Sequence, residues 1–227
     1  TVTLPDCAFR KGEPFIARFF SGLSKPKFIP GDILAGIIEE IGKNVTLFKK
    51  GDEVYGCTGT SFGAHAEYIS LNENSVLVKK PDNLSFEEAS GLCYEGLTGL
   101  PFLRDNAHIK QGDKILIIGA SSSVGLSAVQ LAKYYGAYVT GVSSAKNLNI
   151  VKSLGAQKVI DYTKEDYTKT DEEYDIVFDA VGKSSFNKCR NILKSDGKYL
   201  TTVPTFEIII KMIFSSKSKG KKAIFAA

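Results

Sequence analysis

Lys114 and the four aliphatic residues after it, Ile115-Leu116-Ile117-Ile118, run directly into Gly119-Ala120-Ser121-Ser122-Ser123-Val124-Gly125. This junction constrains the chain more than any other feature. An unbroken aliphatic run has no wet face, so it suits a strand covered on both sides, as parallel strands are. The turn of small residues then opens an amphipathic segment, Val124 to Tyr135. The alternation continues with a strand at Tyr138 to Val142, a helix at Lys146 to Leu154 and a strand at Lys158 to Ile160. Two further strands, Asp175 to Asp179 and Lys198 to Thr202, flank a helix around Ser185 to Leu193. Strands and helices in strict alternation predict an α/β class with a doubly wound parallel sheet.

Upstream of Pro81 the texture differs. Short apolar stretches are punctuated by Pro30-Gly31-Asp32, Gly42-Lys43-Asn44, Lys50-Gly51-Asp52 and Asn72-Glu73-Asn74. Strands are expected at Ile33 to Ile41, Glu53 to Tyr55, Ala64 to Leu71 and Val76 to Val78. The chain therefore divides into a β-rich part, 1–80, and a nucleotide-fold part, 81–227. Ser85 with Glu88 forms a capping-box signature for the first helix of the second part, and Leu97 to Arg104 reads as another helix. Phe206 to Phe214 places Phe206, Ile209, Ile210, Ile213 and Phe214 on one helical face, for a core, a partner or a membrane surface. Lys217, Lys219, Lys221 and Lys222 then read as a solvated loop.

The turn after Ile118 stands where a dinucleotide fold binds phosphate. Of the usual three glycines, Ala120, Ser122 and Gly125 hold the places. Small side chains still let a pyrophosphate approach, and the hydroxyls of Ser121, Ser122 and Ser123 can donate beside the free amides at the helix start, Val124 among them. The alternative is a serine-rich turn with an N-cap. A hydrolase elbow is excluded because Gly119-Ala120-Ser121-Ser122-Ser123 lacks its closing glycine and neither His65 nor His108 lies downstream. A Tyr-x-x-x-Lys pair is absent from all ten tyrosines.

Composition narrows the function further. Twenty-nine basic against twenty-five acidic residues leave +4, and only Arg10, Arg18, Arg104 and Arg190 are arginines, which disfavours a nucleic-acid partner. Cysteines at 7, 57, 93 and 189 form no CxxC pair, so no metal site is expected. Their scatter suits a reducing, cytoplasmic setting, and no apolar run reaches the 18 residues a membrane span needs. Between Asp113 and Asp161 there is no acidic residue. NAD-specific domains place an acid there, at the end of the second strand, to grip the ribose 2′-hydroxyl. Here Ser143, Ser144 and Lys146 offer hydroxyls and a cation to a 2′-phosphate, so NADPH is the expected cofactor. Lys146 reads equally well as a surface helix lysine.

Taken in order, Pro30-Gly31 with Ala35-Gly36, the segment Lys50 to Gly56, Gly63 to Tyr68, Gly96-Leu97-Thr98, the Ala-Ser-Ser-Ser-Val-Gly turn, Ala128 to Ala132, Leu154-Gly155-Ala156 and Asp179 to Gly182 resemble the medium-chain dehydrogenase/reductase superfamily. The resemblance is to the zinc-free quinone oxidoreductases related to ζ-crystallin. It implies a Rossmann-type sheet preceded by a partial GroES-like catalytic domain. Family chains extend beyond both ends, and a start at Thr1 inside a β-branched stretch fits a longer parent protein whose last sheet strands also lie beyond this chain.

The resemblance implies further roles. Tyr162 would contact the 2′-phosphate and Thr98 the nicotinamide side, while Asp179, Val181 and Gly182 would pass beside the adenosine ribose. Tyr94 would line the acceptor pocket, with helix packing as its alternative. Zinc-dependent relatives carry metal ligands where this chain has Thr3, Asp32 and Ile33, so zinc is not expected. No general acid stands out, and none is required for a quinone, because hydride passes directly from the nicotinamide and solvent supplies the proton. The expected activity is hydride transfer from NADPH to a quinone, or to an enone or aldehyde, by a homo-oligomer. A non-catalytic nucleotide-binding protein of the crystallin kind and an alcohol dehydrogenase with atypical zinc ligands are the alternatives.

Overall fold

The computed structural model describes residues 1–13, 15, 18, 19, 22, 27–203, 205, 208, 212 and 220–225, without the side chains of residues 4, 5, 94 and 95. The chain forms two compact units, Thr1–Tyr94 and Glu95–Ala227. The division falls inside a helix, beyond the change of texture at Pro81.

The first unit opens with a helix, α1 (Leu4–Lys11), for which the sequence carried an overlooked signal. Thr3 and Asp6 form a reciprocal capping box, and Gly12 closes the helix in the left-handed conformation at φ +70°. A three-stranded antiparallel sheet follows, in the order β1 (Ile33–Ile37), β2 (Glu53–Cys57), β3 (Val76–Lys79). The strand expected over Ile33 to Ile41 stops at Ile37, because Ile37 faces Glu53, the first residue of its partner β2. Beyond that the chain meets the Lys50-Gly51-Asp52 turn. Ala64 to Leu71, read as a strand, is none. The amides of Gly63, Ala64 and His65 bond to the carbonyls of Ile29, Gly31 and Pro30, and the rest finds no neighbouring strand among the described residues. Tyr68 is 77% exposed there, beside an open trough of about 1360 Å³ that also runs along Ile37 and Leu71.

Helix α2 (Phe86–Leu100) starts at the anticipated cap, where Ser85 N donates to Glu88 Oε2 at 2.8 Å and Glu88 N to Ser85 Oγ at 3.1 Å. The separate helix expected at Leu97 to Arg104 does not exist. Instead α2 widens into a π-helical stretch over Pro101–Ala107. Pro101 supplies no amide for the α-helical ladder, and a wider turn accommodates the gap.

In the second unit six strands lie parallel in the order β6-β5-β4-β7-β8-β9. They are β4 (Lys114–Ile118), β5 (Tyr138–Ser143), β6 (Lys158–Asp161), β7 (Tyr174–Asp179), β8 (Leu193–Thr201) and β9 (Lys222–Phe225). This is the doubly wound order of a dinucleotide fold, with the chain reversing direction across the sheet between β4 and β7. As the aliphatic run predicted, Ile115, Leu116 and Ile117 are fully buried.

Helices α3 (Ser123–Tyr134) and α4 (Leu148–Ser153) cover the β4 side. Residues 145–147 form one tight turn ahead of α4, so the helix begins later than Lys146. The helix expected over Ser185 to Leu193 contracts to α5 (Phe186–Cys189) plus a turn at Arg190–Ile192, because fully buried Leu193 is drawn into β8 opposite Tyr174.

The lysine run, read as a solvated loop, is partly strand, since Lys222 begins β9 at the sheet edge and its neighbour Ala223 is buried opposite Tyr199 of β8. β9 adds a sixth strand to the five the sequence reading marked. Of the segment read as an apolar helix face, Phe206, Ile209, Ile210, Ile213 and Phe214 lie outside the described residues, as do Lys217 and Lys219. Among the described residues no helix is long and apolar enough to cross a membrane.

Candidate functional site

The turn from β4 to α3 sits at the reversal point of the sheet, where open parallel sheets place their ligands. Gly119 holds φ +74°, and a Cβ there would come within 2.6 Å of the Val181 side chain. Gly125 lets α3 press on the turn, since a Cβ there would collide with the Gly119 carbonyl oxygen and lie 2.9 Å from Ala120 Cα. Ser122 is the N-cap, its Oγ accepting from Gly125 N at 3.1 Å. Its hydroxyl oxygen is therefore engaged by the helix. The amides of Ser121, Ser123 and Val124 have no protein partner among the described residues, and neither has the exposed hydroxyl of Ser123. Val124 is buried and can contribute only this amide. The result is a group of donors at the positive end of a twelve-residue helix, suited to an anion.

Beside this turn lies the end of β5. Ser143 Oγ donates to Ser121 Oγ at 2.7 Å, and Asn147 Nδ2 donates to the same oxygen at 3.2 Å. Ser143 is only 1% exposed, so its hydroxyl serves Ser121 rather than the surface. Ser144 is half-buried and Lys146 exposed, each without a side-chain bond among the described residues. Tyr162 is 57% exposed and tethered here by its amide, which donates to the Ser143 carbonyl at 3.2 Å. Asp161, opposite Ser143 on β6, directs Oδ1 to Thr163 Oγ1 at 2.7 Å and to the Thr163 amide at 3.0 Å. The Thr163 hydroxyl holds that carboxyl below its ordinary range.

At the end of β7, Asp179 turns inward. It is fully buried, and its carboxylate accepts from Ser184 N at 2.7 Å, Val181 N and Lys183 N at 3.2 Å each, and Tyr199 Oη at 3.1 Å. It clamps the loop 180–184 from within. Val181, half-buried, is thereby set against Gly119, while Gly182 at φ +63° turns against Val203. A cavity of about 120 Å³ opens beside Gly182, Tyr199 and Val203. Burial drives the Tyr199 phenol far above its ordinary range. Burial also pushes the Cys189 thiol, 3.2 Å from Ser184 Oγ, up to about 11. Neither group is ionised at neutral pH. Asp175, the other carboxylate of this strand, is paired with Lys194 at 2.7 Å and is no partner of Asp179.

Ser121, Ser122, Ser123, Val124, Ser143, Ser144, Lys146, Tyr162, Val181 and Gly182 thus gather around the strand ends of the second unit. Asn147 belongs with them through its bond to Ser121, although no sequence motif marks it. Thr98 lies half-buried on α2, next to Gly99, which presses on Ser127 and Leu131 of α3. The side chain of Tyr94 lies outside the described residues.

A second polar grouping belongs to the first unit. Asp6 accepts from the Thr3 amide at 2.8 Å, the Thr3 hydroxyl at 2.7 Å and the Gly31 amide at 3.0 Å, with His65 Nε2 at 3.9 Å. Burial acts to raise its pKa, but these donors together hold it below the ordinary value. Asp32 is raised by burial and by the charge of Asp6, and its Oδ1 is buried without a hydrogen-bond partner among the described residues. Among the described residues no three His, Cys, Asp or Glu side chains converge as metal ligands.

Comparison with known proteins fits both units. Residues 1–82 match the alcohol dehydrogenase GroES-like domain family and residues 123–203 the zinc-binding dehydrogenase family. A 2-methylene-furan-3-one reductase of Solanum lycopersicum is 36% identical over 202 residues, covering 80% of this chain and 50% of the relative. An NADPH-dependent alkenal/one oxidoreductase of Arabidopsis thaliana, described as chloroplastic, is 35% identical with the same coverage. The structure of the quinone oxidoreductase from Coxiella burnetii superposes with a TM-score of 0.85 at 30% identity, over 100% of this chain and 71% of that one. The chain spans about half the length of these curated relatives.

Proposed function

The chain belongs to the medium-chain dehydrogenase/reductase superfamily, within its quinone oxidoreductase branch, and from that premise we propose that it is an NADPH-dependent reductase of quinones or other conjugated carbonyls. One observation carries the reading. The donor-rich turn at the sheet's reversal point adjoins a β5 end that bears Ser143 and Ser144 in place of an acid. The cradle fits a dinucleotide, because the Gly119 and Gly125 positions would be filled by any Cβ and the turn keeps amides unpaired among the described residues. The names of the relatives, reductases of furanones, alkenals and quinones, support the acceptor class.

Bound NADPH supplies the hydride. The chain's own residues bind and orient it. The amides of Ser121, Ser123 and Val124 and the Ser123 hydroxyl take the pyrophosphate. Ser144, Lys146 and Tyr162 surround the 2′-phosphate, and Ser121 offers one more donor. Val181 and Gly182 bound the adenosine ribose, with Asp179 as the residue that positions them. Thr98 is assigned to the nicotinamide side and Tyr94 to the acceptor. No side chain is assigned as proton donor, and solvent fills that role for a reduced quinone oxygen.

We read the reaction as zinc-independent. Of the three places that carry metal ligands in zinc-dependent relatives, Ile33 offers no donor atom and Thr3 gives its hydroxyl proton to Asp6. Four free cysteines support a reducing, cytoplasmic location. A homo-oligomer joined through sheet edges is the proposed assembly.

The test is to give the protein NADPH and NADH separately with a simple quinone and to follow nicotinamide absorbance. Oxidation with NADPH preferred supports the reading. A clear NADH preference defeats the argument from the missing acid, and binding without oxidation leaves a nucleotide-binding protein without catalysis.

A further inference from the structure

Ser121 Oγ accepts two hydrogen bonds, from Ser143 Oγ at 2.7 Å and from Asn147 Nδ2 at 3.2 Å. A hydroxyl has one proton to give and two lone pairs to receive with. Both acceptor positions are filled, and no acceptor for its own proton exists among the described residues. The proton must therefore point away from both donors, toward the half-exposed face of the turn.

The location of that face is fixed by the sheet. Ser143 ends β5, the strand beside β4, and NAD-specific domains carry their ribose-gripping acid at this strand end. Ser121 lies within hydrogen-bonding distance of that place, on the ribose side of the turn. Such an acid accepts from a 2′-hydroxyl, whereas an outward hydroxyl proton donates to a 2′-phosphate. Chains of hydrogen bonds also polarise one another, which strengthens the terminal donor.

We propose that Asn147, together with Ser143, fixes the Ser121 hydroxyl as a donor to the 2′-phosphate, which makes Asn147 a specificity-determining residue acting through Ser121. The inference rests on the nucleotide reading above and adds a residue that neither the sequence nor the resemblance singled out. Asn147 does not touch the cofactor. It is a positioning residue, and its loss frees the Ser121 hydroxyl to rotate inward.

The experiment measures equilibrium binding of NADPH and NADH, by nicotinamide fluorescence, to the intact chain and to Asn147→Ala, Ser121→Ala and the double variant. The expected result is an NADPH dissociation constant raised about five- to tenfold in each single variant, with no further rise in the double. NADH affinity stays within about twofold, which also reports that the variants are folded. Asn147→Asp can only accept, so it turns the Ser121 proton inward and weakens NADPH at least as much as alanine does.

Equal weakening of both nucleotides overturns the inference, because the residue would then serve the shared pyrophosphate or the fold. Unchanged NADPH binding, or additive effects of the two substitutions, overturns it too. A wild-type chain that binds neither nucleotide refutes the nucleotide reading and this inference with it.

Discussion

Asp179→Ala is expected to be among the costliest single substitutions in the second unit. The wild-type carboxylate satisfies three loop amides and one phenol, at 2.7 to 3.2 Å. After truncation the loop amides can recruit water, since Val181 and Ser184 are only half-buried. Tyr199, 2% exposed, cannot. One stranded phenol costs about 1–3 kcal/mol, and each lost bond to a charged acceptor adds about 1.5 kcal/mol before water compensates. With water recovering part of the three amide bonds, the net is about 3–5 kcal/mol, or a melting temperature lowered by on the order of 10 °C. Tyr199→Phe removes one bond and leaves the carboxylate its three amides, so about 1 kcal/mol is expected. Urea denaturation followed by circular dichroism measures both, with an unchanged m-value as the check on two-state unfolding. The clamp argument fails if Asp179→Ala costs less than about 1 kcal/mol, or if Tyr199→Phe costs as much as Asp179→Ala. NADPH affinity should fall in the alanine variant as well, because the loop places Val181 against Gly119.

Other outcomes follow from the same geometry. Gly125→Ala forces a Cβ onto backbone atoms of Gly119 and Ala120, so it should destabilise by about 1–3 kcal/mol and weaken NADPH at least tenfold; full affinity in this variant would show that helix contact with the turn is unimportant. With its pKa pushed up to about 11 by burial, Cys189 is thiolate in about one molecule per thousand at pH 8. Mass spectrometry after alkylation should find exposed Cys7 modified first and Cys189 protected until denaturant is added. Burial acts to raise the pKa of Asp175, but the Lys194 ammonium and the Lys114 amide hold it below its ordinary value. The pairing therefore stabilises the fold above the unfolded carboxylate pKa of about 3.9 and is lost as pH falls through the lower folded value. Asp175→Asn should flatten the acid limb of the stability profile below about pH 4, which a pH series of urea titrations would detect.

The sheet was legible where its signal was local. Ile115 to Ile118 suit a doubly covered strand, and the small-residue turn after them suits a helix start. Ser85 and Glu88 announced α2 through a capping pattern that needs four consecutive positions. What was missed depended on distant partners or on the absence of one. Ala64 to Leu71 has strand composition but no neighbour to pair with among the described residues, whereas Lys222, the last of the lysines read as a solvated loop, opens a strand because Tyr199 and Leu200 offer Ala223 and Ile224 a ladder. Asp179 sits in a recognisable motif, yet burial and four internal donors give its carboxylate a positioning role. Asn147 meets Ser121 across 26 positions of sequence, and no local pattern marks such a pair. The Thr3-Asp6 cap is a local pattern of the same kind, four residues long, at the start of α1.

The central claim, hydride transfer from NADPH to a conjugated carbonyl, is tested most directly by isotope. NADPH deuterated at nicotinamide C4 is given to the protein with a simple enone, and the saturated product is analysed by mass spectrometry. The account predicts one deuterium on the former β-carbon, with the α-position taking its proton from solvent. Product formed without that label, or no reduction although NADPH binds, would contradict it.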